Sequence, residues 1–183
     1  MANSKPNIQA ASKPNIQAAY KLARERYAAL GVDTDKVLKQ LAKVPVSLHC
    51  WQGDDVGGFE NAGGVLGDGL AVTGNYPGKA RTANELRADF ECAAGLIPGA
   101  LRFNLHACYA EMSGKKVDRD ELSAAQFRNW IDWARRLKIG LDFNQTYFSH
   151  PLVKGGMTLT HPDAAIRKFW IEHGIRCREI GAE

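Results

Sequence analysis

Three short β-prone runs, each ending in polar side chains and each followed by a helical pattern, constrain this chain more than any other feature. The first runs from Val46 to Cys50 behind Pro45, and His49, Trp51, Gln52, Asp54 and Asp55 crowd the point where it ends. The second, Leu101 to Tyr109, alternates strictly. Leu101, Phe103, Leu105, Ala107 and Tyr109 share one face, and Arg102, Asn104, His106 and Cys108 share the other. The third, Ile139 to Asn144, again ends in polar groups. Strand–helix alternation of this kind argues for a parallel sheet. Polar and aromatic groups at the C-terminal ends of parallel strands are where α/β proteins place their sites. A strand of a (β/α) barrel buries both faces, so Asn104 and His106 would point into such a barrel or toward its mouth, where polar groups need partners or a ligand.

The helical segments carry their own start signals. Thr82-Ala83-Asn84-Glu85 reads as a capping box ahead of Leu86, Phe90, Ala93, Ala94 and Ile97, with Pro98-Gly99 as the stop. Ser123-Ala124-Ala125-Gln126 is a second box. Behind it Phe127, Trp130, Ile131, Ala134 and Leu137 form an apolar stripe, opposite Arg128, Asp132, Arg135 and Arg136. At helical spacing Trp130 and Trp133 read as packing residues rather than as a platform for a sugar. Thr160 to Asp163 opens the last helix, with Pro162 or Asp163 in its first turn and Ala165, Ile166, Phe169, Trp170 and Ile180 on its apolar side.

Ahead of the first strand the chain repeats itself, since Ser4–Ala11 and Ser12–Ala19 both read SKPNIQAA. Two copies of eight residues are too few and too short for a solenoid. The second copy leads into a helix with Ile16, Tyr20, Ala23, Tyr27 and Leu30 in register and Gly31 at its end; Thr34 is expected to cap a shorter helix with Val37, Leu38 and Leu41. Residues 1–13 are therefore expected to be a disordered tail, and 14–183 to form one domain. The glycine-rich stretch 53–80 contains no phosphate-loop signature.

Composition narrows the function classes. The 183 residues, 45% hydrophobic and 24% charged, suit one globular domain with a core. A net charge of +4, with basic residues clustered only in pairs, leaves no nucleic-acid footprint. The N-terminus lacks the apolar core of a signal peptide, and no run approaches membrane-spanning length. None of Cys50, Cys92, Cys108 and Cys177 lies in a C-x-x-C pair, so free thiols in a reducing cytosol are expected. No Gly-rich dinucleotide turn follows any strand, and an eight-stranded barrel needs roughly 250 residues. Three βα units after a helical lead-in thus read as the first part of something larger, with open sheet edges that are poorly tolerated.

Eight blocks carry a specific resemblance: PVSLHCWQGDDVGGFE (45–60), VTGNYPGKAR (72–81), ELRAD (85–89), LIPG (96–99), RFNLHA (102–107), GLDFN (140–144), FSHPL (148–152) and IRKFW (166–170). In this order they resemble L-rhamnose isomerase, from about Tyr20 to the end of the chain. The resemblance implies the N-terminal part of a (β/α)8 TIM barrel, incomplete in this chain, from a cytoplasmic aldose–ketose isomerase of carbohydrate catabolism that interconverts L-rhamnose and L-rhamnulose. It further implies a homotetramer and two divalent cations, typically Mn2+, acting as Lewis acids and templates.

By the same resemblance, His106 is expected to hydrogen bond the sugar and assist ring opening. Trp51 and Phe143 are expected to form apolar walls, and His49 and Asn144 to make further contacts. Family members are more than twice this length, and their metal ligands come from later strands. No metal ligand and no catalytic residue is therefore assigned to this chain, and Asp54-Asp55 is not read as a metal pair. The expectation is an N-terminal fragment, inactive and poorly folded alone. The other reading is a short non-catalytic sugar-binding or assembly module that dimerises to cover its open edges.

Overall fold

The computed structural model describes residues 13–49, 58–60, 80–114, 116–153 and 155–183. The chain divides into two compact units, Met1–Val44 and Pro45–Glu183. Within the first, helix α1 spans Lys13–Ala29 and helix α2 spans Thr34–Leu41. Gly31 between them takes φ +79°, a left-handed conformation that glycine adopts at no steric cost. The α2 cap falls one residue earlier than the expected Thr34. Asp33 is the N-cap, and its carboxylate accepts the Lys36 N–H at 3.0 Å.

The second unit is built on a parallel sheet of strands β1 (Val46–Leu48), β2 (Leu101–His106) and β3 (Gly140–Asn144), in the order β1-β2-β3. Helices α3 (Ala83–Ala94), α4 (Arg128–Leu137) and α5 (Ala164–Ile180) follow the strands in turn. Leu48 pairs with Phe103, and Phe103 with Leu141; His106 pairs with Asn144. Mixed α/β architecture with βα alternation is what the periodicity requires.

The two faces of β2 differ as the alternation predicts. Phe103 and Leu105 are buried on one side among aromatic rings from α3 and α4. Phe90 meets Phe103 edge-on at 5.2 Å, and Trp130 stacks on Phe103 at 5.4 Å and 10°. The indoles find partners, as buried tryptophans usually do. The Trp130 N–H donates to Tyr109 O at 3.0 Å, and the Trp133 N–H to Glu91 at 2.7 Å. Both tryptophans are core residues.

On the other face Arg102 pairs with Asp142, two positions beyond its register partner Gly140, through Nε at 3.0 Å and Nη2 at 2.8 Å. Gly140 lies opposite Arg102, and a Cβ there would collide with the guanidinium.

The second strand is shorter than its alternation. It stops at His106, and Ala107–Tyr109 turn into a 3-10 segment. The turn sends the Tyr109 and Cys108 carbonyls to two different partners, the Trp130 indole and the Phe59 N–H at 2.8 Å. Gly58 beside it, at φ +81°, packs so closely on Cys108 that a Cβ would lie 2.5 Å from its carbonyl oxygen.

The Ser123 capping box is present, but it opens a 3-10 segment, Ala124–Phe127, and α4 begins only at Arg128. Asp163 caps α5 by accepting the Ala165 N–H at 2.8 Å. Cys50 and the 61–79 stretch lie outside the described residues, as does the first copy of the repeat.

Candidate functional site

Parallel strands in register bring their C-terminal ends to one edge of the sheet, and three of the expected sugar contacts meet there. His49 follows β1, His106 ends β2 and Asn144 ends β3, with His106 and Asn144 paired across the ladder. His106 is half-buried, and its ring lies 5.1 Å from that of Tyr109 and 6.4 Å from that of Phe148. Burial, with His49 adding to it, pushes the His106 imidazole down to about 4. At neutral pH His106 is therefore uncharged, one nitrogen a donor and the other an acceptor, which suits a polyhydroxylated ligand without charge.

Asn144 is partly committed to the backbone. Its side-chain oxygen accepts the Thr146 N–H at 2.8 Å, closing a turn at the end of β3. Phe143 is not brought to the cluster. The pleat sends it to the helix side, where its ring meets Phe127 edge-on at 5.1 Å. Trp51 and Asp54-Asp55 lie outside the described residues.

Behind the strand ends sits a polar core that the sequence patterns do not announce. Arg119, 1% exposed, donates through Nε and Nη2 to the Glu60 carboxylate at 3.0 and 2.5 Å. Its remaining donors reach three carbonyls of the segment after β3: Thr146 at 2.5 Å, Phe148 at 2.7 Å and Ser149 at 3.1 Å. His173 of α5 is fully buried and faces two more carbonyls, Arg119 O at 3.0 Å through Nδ1 and Gln145 O at 2.5 Å through Nε2. A neutral imidazole donates from one nitrogen only. Burial holds the His173 pKa below its ordinary value, while the two carbonyls pull it upward.

Beside this core, His150 donates through Nε2 to the Asp118 carboxylate at 2.9 Å, accepts the Leu152 N–H through Nδ1 at 3.2 Å and stacks on Phe169. Burial works to raise the Asp118 pKa, but the Arg119 N–H and His150 hold it below the usual carboxylate range.

These residues gave little signal because Asp118-Arg119-Asp120-Glu121 looks like a solvated charge run. The α5 periodicity could have found His173, since it falls between the buried Trp170 and Cys177 on one helical face.

Among the described residues no three His, Cys, Asp or Glu side chains converge as a metal site. Asp33 and Asp35 have the spacing of a paired ligand motif, but Asp33 caps α2 and Asp35 pairs with Arg24 at 2.7 Å. Asp118 and Asp120 share that spacing, and Asp118 is held by His150. Burial pushes the thiols of Cys108 and Cys177 up to about 12, so neither is a nucleophile at neutral pH. Among the described residues no helix is long and apolar enough to cross a membrane.

The family model described as L-rhamnose isomerase (RhaA) matches residues 14–183. An L-rhamnose isomerase of Rhodopirellula baltica is 59% identical over 163 residues, which are 89% of this chain and 38% of the relative. L-rhamnose isomerases of Pectobacterium atrosepticum and Salmonella paratyphi B are 58% and 56% identical over 89% of this chain and 39% of their own length. The chain thus spans less than two-fifths of the curated relatives it matches, and corresponds to their N-terminal part.

Proposed function

Because the chain belongs to the L-rhamnose isomerase family, we propose that it supplies the first three βα units of a (β/α)8 barrel that interconverts L-rhamnose and L-rhamnulose. The observation that carries this reading is the meeting of His49, His106 and Asn144 at the C-terminal ends of adjacent parallel strands, where barrel enzymes hold their substrates. Held neutral, His106 hydrogen bonds a sugar hydroxyl or the ring oxygen and assists ring opening. Trp51, by resemblance, is a further apolar wall. Phe143, packed on the helix side, acts from behind by supporting β3. The partial barrel is the second unit, Pro45–Glu183, rather than the whole of 14–183.

Manganese belongs to this reading through the family alone. The described residues do not fit a metal site, so no step assigned to this chain passes through the ion. A cytoplasmic homotetramer is part of the same proposal. The chain by itself is inactive in this reading, since the hydrogen shift between C1 and C2 needs groups that these strands do not hold.

A chimera tests it. Residues 1–183 joined to the remainder of the Rhodopirellula baltica relative should isomerise L-rhamnose, and the 183-residue chain alone should not. His106→Asn in the chimera should lower kcat/KM about a hundredfold, the range of a lost acid–base contact. A chimera whose rate is indifferent to His106 would remove the histidine from the reaction. The open outer edges of β1 and β3 among the described residues favour the dimeric binding module as the second reading. A stable dimer of the chain alone that binds L-rhamnose would support it.

A further inference from the structure

The segment from Gln145 to His150 joins β3 to the last part of the chain and carries Phe148 to the ring of His106. It is held in an uncommon conformation. Thr146 and Ser149, on either side of Phe148, take φ +56° and +53°. The left-handed region is sparsely populated by residues other than glycine, and a β-branched residue there is a true outlier. Strain of this kind persists only where the surroundings over-determine the backbone.

Here the surroundings are identifiable. One guanidinium bonds the carbonyls of Thr146, Phe148 and Ser149, while His173 faces that of Gln145. The guanidinium is itself fixed by Glu60, which belongs to the segment docked on Cys108 directly after β2. The planar fork therefore ties the end of β2 to the end of β3, at the two strands whose last residues are His106 and Asn144. No ligand is needed to explain the fork, because each of its donors has a protein acceptor.

We propose that Arg119 is a positioning residue that sets the backbone after β3 and so places Phe148 against His106 as an aromatic wall of the sugar site. The claim rests on the sugar-site reading above and adds to it a wall residue and the buried group that aims it. Phe148 sets an apolar aromatic ring beside a neutral imidazole, a pairing that suits the C–H face of a sugar next to one of its hydroxyls. Arg119 itself, 1% exposed, touches no substrate.

The test reads His106 by imidazole NMR in the 183-residue chain across the acid range, first without sugar. In the wild type His106 should titrate near 4. Arg119→Lys keeps the charge beside Glu60 but loses the fork, and Phe148→Ala removes the wall while keeping the fork. Both should hydrate His106 and move its titration toward the ordinary 6.5.

Leu86→Ala, in the α3 core, is the control for mere loss of stability and should leave the titration in place. Unchanged titration in Arg119→Lys, or in Phe148→Ala, overturns the proposal; an equal shift in Leu86→Ala does so too. L-rhamnose binding is then measured on the chimera, which completes the barrel. The wild-type chimera should bind the sugar, with affinity lowered about tenfold by either substitution, the scale of one lost aromatic contact. A chimera that isomerises L-rhamnose with unchanged affinity in both variants overturns the wall, and one that neither binds nor isomerises it overturns the sugar-site reading, whereas the positioning claim is decided by the sugar-free titration.

Discussion

At the scale of single residues, burial decides what each charge contributes. The Arg102–Asp142 and Arg119–Glu60 pairs have similar lengths, at 2.8 and 2.5 Å. The first keeps 39% and 42% of its side chains exposed, the second 1% and 8%. Water screens the first, and such pairs contribute about 1 kcal/mol or less. Removing Glu60 from the second leaves a buried guanidinium without its counter-charge, which costs about 3–5 kcal/mol. Glu60→Ala should therefore lower the urea midpoint far more than Asp142→Ala, and equal shifts would contradict the burial argument. Neither pair was legible in the sequence, because an isolated Glu60 and a D-R-D-E run carry no sign of which one is buried.

At the scale of elements, local signals were largely readable and their errors were short. Thr82 caps α3 as its capping box requires, accepting the Glu85 N–H at 3.2 Å. The Glu85 side chain accepts the Arg81 N–H instead of closing the box onto Thr82, at 2.7 Å. Thr82→Ala should cost about 1 kcal/mol in thermal unfolding. Trp130→Ala should cost roughly 3–5 kcal/mol, because that ring stacks on Phe103 and lies under the Arg87 guanidinium at 4.5 Å. A smaller loss at Trp130 than at Thr82 would mean that the indole is not central to the core. Of the misread boundaries, those at Tyr109 and at Ser123 fall on 3-10 segments, where side-chain alternation and helix periodicity look alike over three or four residues.

At the scale of the second unit, the depressed groups act in one direction. His106 falls to about 4 on burial, so between 4 and its unfolded value of 6.5 the unfolded chain binds the extra proton. Its contribution is complete above 6.5 and is lost as the pH falls toward 4. Asp142, held down by Arg102, and Asp118, held down by the Arg119 N–H and His150 against burial, lose theirs further into acid. Denaturant melts should therefore show stability falling first below pH 6.5, with His106→Gln reducing that early loss and the buried His173, also held low, accounting for what remains. An early acid loss that is undiminished in His106→Gln would remove His106 from it and leave it to the buried His173.

Strand–helix alternation, the division of the second strand into two faces and the packing role of Trp130 and Trp133 were determined by the sequence alone. Those features depend on periods of two or 3.6 residues and on caps within one turn, so they are written in neighbouring positions. Only the tertiary structure decided that Phe143 turns to the helices, that Asn144 spends its oxygen on Thr146, and that Arg119 is buried with Glu60. Arg119 and Glu60 stand 59 positions apart, and a guanidinium this far from its carboxylate acquires its burial, its partners and its role when the strands bring their ends together.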